Sequence, residues 1–477
     1  MFTHQLKFLF LSGFLFLFGT SCQKDDGSEL SETLVTTENY QGNKGGAKPP
    51  NGDPHHRSTK VVTDWIDLFL ELDRYAEGMR PNATARALAY IHLAAYETAA
   101  PAFPEYESNS GHLPGFQLSG DDQLPKIEWP LALNSCYARV LDHFLINVSG
   151  GRKSKISELE TDLNDQITTG LPAKLIQDSE DWGNSVADQI IAYSKTDEAA
   201  ENQILDPQPV SYVPPVGDGF WTFSAEPERA LFPFWKDVRT FIISPSQTSS
   251  VPPVAYSENQ NSDYYRQMEE VYEANEQAKT SDHEALWIAE FWSDDVTGLT
   301  FSPPARHFSI IRQLIDQYHL DLPEALYLNL KMGLSLNDAA VCTWKYKYQY
   351  MVMRPSVYLQ EFVDPDYATN LLRLIPWPNP TFPGYPSGHS CFASASAGVL
   401  IDFFGNQTNF TDRSHAGRTE FQSKPRNFKS FSEMADECGY SRIPLGVHMR
   451  MDCTEGLRLG YQISEAINKY HLEKPKA

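Results

Sequence analysis

The sequence predicts an all-α fold, on three observations. Trp65, Leu68, Phe69 and Leu72 recur at helical spacing, the run Ala87–Tyr96 is small and apolar throughout as a buried helix requires, and strand-like alternation is scarce along the whole chain. No unit of 20–50 residues recurs, which excludes a solenoid. The 477 residues carry 39 basic and 62 acidic side chains, a net charge of −23, which argues against a nucleic-acid or polyanion binder. With 41% hydrophobic and 21% charged residues the chain can bury a sizeable core. A mean hydropathy of −0.42 excludes a multi-pass membrane protein.

The first 22 residues stand apart from the fold. Lys7 precedes the apolar run Phe8–Phe18, too short to span a bilayer but suited to the core of an export signal. Gly19, Thr20 and Ser21 lead to Cys22, a pattern that resembles a bacterial lipoprotein signal in which the cysteine is acylated and becomes the new N-terminus; plain secretion is the alternative. Export follows on either reading, with a lipid anchor at Cys22 placing the protein on the outer membrane or cell surface and its absence leaving it periplasmic or secreted. Residues 23–60 are polar, rich in Gly, Pro, Ser, Thr and Asn, and read as a flexible tether.

From Val61 the chain reads as helices, with further ones expected near 131–147, 155–168, 179–194, 261–277, 283–293, 307–319, 323–352, 366–374, 388–404 and 454–470. Between them, residues 204–254 are rich in proline and aromatics, including Trp221, Phe232, Phe234 and Trp235, and form a long ordered loop or packed cover. An N-terminal helical region over 61–300 and a C-terminal bundle over 301–477 are expected. Beyond Cys22 the cysteines are Cys136, Cys342, Cys391, Cys438 and Cys453, an odd number with no zinc-ligand spacing. An oxidising compartment permits a Cys438–Cys453 bridge.

Charge is unevenly placed, and that points to a site. Val341–Gln360 holds Lys345, Lys347 and Arg354 without an acid, Leu374–Ile401 has no formal charge and one histidine, His389, and Ser441–Met451 holds Arg442, His448 and Arg450, again without an acid. Three such islands in so acidic a chain suggest one shared anion pocket.

In the first island, a helix would bring Trp344, Lys347, Met351 and Arg354 within about 80° of one face, with Pro355 helping to stop it. A solvated basic face is the plain alternative. In the second, Ser387-Gly388 opens a helix, leaving unpaired N–H groups and a positive dipole end as an oxyanion seat. Gly388 lets an oxygen approach, the Ser387 hydroxyl can donate, and His389 in the first turn is placed to exchange protons. An ordinary helix cap with a surface histidine is the alternative. In the third, a helical His448 would share a face with Asp452, which fixes the ring tautomer and leaves the other nitrogen as a lone pair for phosphorus or a metal. A structural His–Asp pair is the alternative there.

Together the islands carry Lys347, Arg354, Ser387, Gly388, His389, Arg442 and His448 in an order that resembles the vanadium-dependent haloperoxidases. That family shares its site with type-2 phosphatidic acid phosphatases and bacterial class A acid phosphatases. The likeness extends loosely over Val61–His471, including Pro207–Pro253 and Ile288–Asp295. It implies two helical bundles, with the site in the C-terminal one. It further implies orthovanadate as cofactor, its oxygens bound by Lys347, Arg354 and Arg442 and completed by Ser387 and the Gly388 N–H, with His448 as axial vanadium ligand and His389 as acid–base residue. Hydrogen peroxide and halide are the implied partners, the halide being oxidised to hypohalous acid through a vanadate-bound peroxide; no haem, flavin or nicotinamide is implied.

The same resemblance gives Asp295, with Asp294 as second choice, as a carboxylate supporting His389, a helix cap being the alternative for either, and Trp344 and Phe382 as shapers of the halide site. A phosphatase using His448 as nucleophile, through a phosphohistidine, would employ the same cradle. The aromatic pair, the long N-terminal helical region and the lack of membrane helices favour the peroxidase, with iodide or bromide the expected halide.

Overall fold

In a computed structural model, which describes residues 54–474 except 122, 224–227, 295, 374–378 and 421, a single long helix explains most of the layout. The elements in order are α1 (Pro54–Asp73), α2 (Asn82–Ala99), α3 (Trp129–Phe144), α4 (Gly150–Ile167), α5 (Ala173–Lys195), α6 (Glu198–Leu205), α7 (Asp263–Thr280), α8 (His283–Phe291), α9 (Pro303–Tyr318), α10 (Leu322–Tyr350), α11 (Pro355–Phe362), α12 (Gly388–Phe404), β1 (Phe410–Asp412), β2 (Arg426–Phe428), α13 (Phe431–Tyr440), α14 (Arg442–Leu445) and α15 (Arg450–Asn468). The all-α expectation holds: among the described residues the only sheet is the antiparallel pair β1–β2, with Phe410 opposite Phe428. No described helix is long and apolar enough to cross a membrane.

Helix α10 starts on a reciprocal cap, in which Asp321 accepts from the Glu324 N–H at 3.0 Å and the Glu324 carboxylate accepts from the Asp321 N–H at 3.1 Å. Its residues from Ala325 to Trp344 are all buried, so it must be clothed on every side. Helix α2, also buried along its whole length, covers one flank; a Cβ added at Gly333 would lie 2.9 Å from Ala89 Cα, so glycine sets the approach of the two helices. On another flank α12 and α15 cross even more tightly. A Cβ at Gly456 would meet the Ser387 carbonyl oxygen at 2.5 Å, and one at Gly460 the Cys391 carbonyl oxygen at 2.3 Å, so these backbones touch only because both positions lack a side chain. One apolar core includes residues from α1 to α15 and passes through α10.

The boundaries correct several expectations. Helix α1 begins at Pro54, inside the stretch read as tether to residue 60. The helix expected at 366–374 is only a 3₁₀ turn at Asn370–Arg373. Helices α6, α11, α13 and the short α14 were not expected. Helix α11 exists because Pro355 occupies its first position, where a fixed φ and a missing N–H cost nothing. The export signal, Cys22 and most of the tether lie outside the described residues. The Cys438–Cys453 bridge is not formed, and the five cysteines beyond Cys22 are all buried thiols.

The proline- and aromatic-rich segment is a packed cover. Trp221, Phe232 and Trp235 are buried, and the Leu231 carbonyl accepts from Tyr348 Oη at 2.7 Å and from Trp344 Nε1 at 3.4 Å. Further on, the Asp338 carboxylate on α10 accepts the backbone N–H groups of Phe241, Ile242 and Ile243 at 2.8, 2.9 and 3.0 Å. The cover is thereby fixed along the helix that carries Lys347.

Candidate active site

Lys347 lies in the last turn of α10, but Arg354 does not follow it on the same helix. Helix α10 stops at Tyr350, Met351 takes a left-handed conformation (φ 52°), and Arg354 becomes the extended residue before α11. The expectation of one continuous helical face through Arg354, ended by Pro355, is therefore corrected; Pro355 starts a helix instead of stopping one. The two cations still meet, because both hold the same loop. Lys347 Nζ donates to the Pro383 and Gly384 carbonyls at 2.9 and 3.0 Å, and Arg354 Nε donates to the Phe382 carbonyl at 3.0 Å.

That loop runs into α12. Ser387 is its N-cap, accepting from the Ser390 N–H at 3.3 Å, with its own N–H donated to the Asp452 carbonyl at 2.9 Å. Gly388 follows as the first helical residue, where no carbonyl lies one turn back within the helix to take its N–H. A Cβ on Gly388 would stand 3.5 Å from Trp344 Cζ3 and 3.9 Å from Lys347 Cε, filling the space in front of the lysine. His389, half-buried, comes next.

The third segment is corrected in form and kept in substance. His448 precedes α15, which begins at Arg450, so it and Asp452 do not share a helical face. Asp452 sits in the first turn of α15 and reaches back, its Oδ2 accepting from the Met449 N–H at 3.0 Å and from His448 Nδ1 at 3.0 Å. The helix N-terminus favours this carboxylate. With Nδ1–H so committed, His448 Nε2 is the lone-pair nitrogen, 3.1 Å from Arg354 Nη1, a tautomer assigned from its partners.

Lys347, Arg354 and Arg442 are all buried. Arg442 is anchored by donation to the Ala289 carbonyl at 2.9 Å and to Ser441 Oγ at 3.1 Å. Burial, then the Arg354 charge, holds the Lys347 ammonium well below its usual pKa. Burial likewise lowers His448, with Arg354 next, and His389, with Arg442 next, so both imidazoles are neutral. Burial raises Asp452, to about 7. An anion among these groups would offset the crowding of like charge. The donor set suits an oxyanion: three cations, a hydroxyl and an outward N–H, with a neutral imidazole nitrogen beside them. A cavity beside them measures about 20 Å³, room for a water-sized group, and its lining includes Trp344, Phe382, Gly388, His389, Arg442 and His448.

Trp344 and Phe382 pack with centroids 4.9 Å apart. The Phe382 centroid lies 5.1 Å from Lys347 Nζ and 5.1 Å from Arg354 Cζ. Of the supporting carboxylates, Asp295 lies outside the described residues. Asp294 is committed elsewhere, 3.4 Å from Arg306 Nη1 and 3.7 Å from His415 Nε2. That arrangement corrects its expected support of His389. The sequence reading also missed His307, buried on α9 and felt electrostatically by His389, and Pro303 one turn earlier, which lines the cavity. The adjacent Arg306-His307 pair in an apolar helix was the available signal.

Comparison with known proteins bears out the resemblance carried by the three motifs. Residues 327–474 match the family model described as the VCPO second helical-bundle domain. The vanadium chloroperoxidase of Curvularia inaequalis is 23% identical over 493 residues, covering 85% of this chain and 81% of that protein. The crystal structure of the first bacterial vanadium-dependent iodoperoxidase superposes with a TM-score of 0.77 at 25% identity, covering 90% of this chain and 100% of that one. A holo-type bacterial vanadium-dependent chloroperoxidase shares the fold, with a TM-score of 0.60 at 15% identity, covering 88% of this chain and 94% of its own.

Proposed function

We propose that this chain, a relative of the vanadium-dependent haloperoxidases in sequence and fold, uses hydrogen peroxide to oxidise iodide or bromide to hypohalous acid. Lys347, Arg354 and Arg442 would hold the oxygens of orthovanadate with Ser387 and the Gly388 N–H, and His448 Nε2 would be its nitrogen ligand. Bound vanadate supplies a Lewis-acidic centre, itself not reduced, that activates peroxide toward halide. The observation that carries this reading is the placing of His448, with Nδ1 3.0 Å from Asp452 Oδ2 and Nε2 3.1 Å from Arg354 Nη1, beside the buried Lys347 and Arg442.

The chain's own residues do the rest. His389 takes a proton from entering peroxide, its ring kept unprotonated and ready to accept by burial and the Arg442 charge. Asp452 keeps His448 in the tautomer that presents Nε2. Trp344 and Phe382 give an apolar wall beside the Lys347 ammonium, fit for a large, weakly hydrated halide. The likeness to an iodoperoxidase and the easier oxidation of iodide and bromide support that choice. Export and a lipid anchor at Cys22 belong to the same proposal, as does the division at residue 300.

The deciding experiment titrates metal-free protein with orthovanadate and follows peroxide-dependent triiodide formation alongside phosphomonoester hydrolysis. Halide oxidation that saturates with vanadate is expected. Phosphatase activity without vanadate and without halide oxidation would overturn the proposal.

A further inference from the structure

A second hollow, sharing no lining residue with the catalytic cavity, opens between α1, α9 and the loop after β1. At about 460 Å³ it is the size of a small-molecule pocket. Leu70 and Phe301 contribute apolar surface, and Arg74, Arg312, Arg413 and Arg418 contribute four guanidinium groups. Three acids also line it, but each already has a cation. Asp67 and Asp316 both pair with Arg312, the first at 3.0 Å, and Glu71 pairs with Lys155 at 2.5 Å.

Arg418 is held by Glu420, at 2.9 Å. Arg74 and Arg413 have no carboxylate within 4.0 Å among the described residues. Arg74 Nη2 reaches only the Gly298 carbonyl and Arg413 Nη1 only that of Thr411, each at a long 3.4 Å. Arg74 Nε is shut off from water and has no acceptor, a costly state for an N–H of a charged group. Burial and then the Arg418 charge lower the Arg74 pKa, against smaller opposing effects of Tyr75, Glu420 and Glu71, so the nearby acids do not offset the guanidinium charge that Arg74 meets across the hollow.

We propose that this hollow is a binding site for a small organic anion, with a carboxylate or phosphate head between Arg74 and Arg418 and a flat apolar body against Leu70 and Phe301. Guanidinium forks match either head by paired hydrogen bonds. Phe301, 6% exposed in the wall of the hollow, is held firm by stacking on buried His415, with centroids 5.4 Å apart and planes 10° from parallel. The site is independent of vanadate chemistry and stands or falls separately from it.

The test is calorimetric titration of the full chain with benzoate, phenyl phosphate and inorganic phosphate at low salt. Saturable binding of at least one aryl anion is expected, tighter than inorganic phosphate and weakened by added salt. Arg74→Gln and Arg418→Gln should each weaken it at least tenfold, whereas His448→Ala should leave it unchanged. If neither aryl anion binds saturably to the wild-type protein at millimolar concentration, the proposal is overturned whatever the variants do. Binding abolished by His448→Ala would place the probe in the catalytic cavity and overturn it equally.

Discussion

His448 and Asp452 are joined across a helix boundary: His448 Nδ1 lies 3.0 Å from Asp452 Oδ2, although only Asp452 is helical. The carboxylate therefore orients an imidazole whose own backbone offers it little regular support. Asp452→Asn removes the charge and lets the side chain present an N–H instead. Orthovanadate affinity should fall about 10–100-fold, as for outer partners of metal-bound histidines. Equilibrium titration of the folded variant measures it, and unchanged affinity would refute the orienting role.

Gly388→Ala separates folding from ligand binding. The new Cβ would make only ordinary contact, 3.5 Å from Trp344 Cζ3. Thermal stability should thus stay the same or rise slightly, by about 0.5–1 kcal/mol. Vanadate binding should fall more than tenfold, because the methyl group occupies the seat in front of Lys347.

The two histidines should fail differently. His448→Ala removes the nitrogen ligand and should lose vanadate binding. His389→Ala should keep most of the binding and lose about 10²–10⁴ in turnover, the usual worth of an acid–base residue. Wild-type halide oxidation in both variants would contradict the assignment.

Acid should unfold the protein partly through buried histidines. His92 stacks on Phe308, with centroids 4.5 Å apart, and burial lowers its pKa to about 3; burial lowers His307 to about 4. The unfolded chain takes up these protons near pH 6.5 and the folded chain does not. Stability is therefore full above about pH 6.5 and falls as pH drops toward about 4, by roughly 1.4 kcal/mol per pH unit for each group. His92→Phe keeps the stacking and should flatten the slope by that amount, read from denaturant midpoints between about pH 7.5 and 5.

Asp338→Ala should destabilise the cover over α10. It leaves the Phe241, Ile242 and Ile243 N–H groups without their acceptor. A loss of roughly 2–4 kcal/mol is expected from chemical denaturation. A loss under about 0.5 kcal/mol would mean that the loop holds itself.

The sequence made the cradle legible because its chemistry is dense over short spans. Ser387-Gly388-His389 is contiguous, and His448 and Asp452 lie within one turn's reach even when no helix joins them. Periodicity likewise revealed α10, whose burial is continuous, but could not place its end. Whether Pro355 stops one helix or starts another depends on Met351 entering a left-handed turn, which no apolar pattern encodes. Helix α13 is short and follows a charged loop, so its period is lost in noise. Asp294 was misjudged because its partners, Arg306 and His415, are remote in sequence from the motifs. Contacts of that kind, like the grip of Asp338 on residues 241–243, exist only after folding.

The close crossing of α12 and α15 has a consequence for how far the residues at its start can move apart. Gly456 lies against the Ser387 carbonyl, and the Ser387 N–H is bonded to the Asp452 carbonyl. The N-terminal ends of the two helices are therefore spaced by main chain against main chain, with no flexible side chain between them to give way. Gly388 opens the first of those helices and His448 lies two residues before the second, so the same main-chain contact governs their spacing. A side chain at Gly456 would push main chain away from main chain, a displacement that no change of rotamer in the Ser387 carbonyl could absorb.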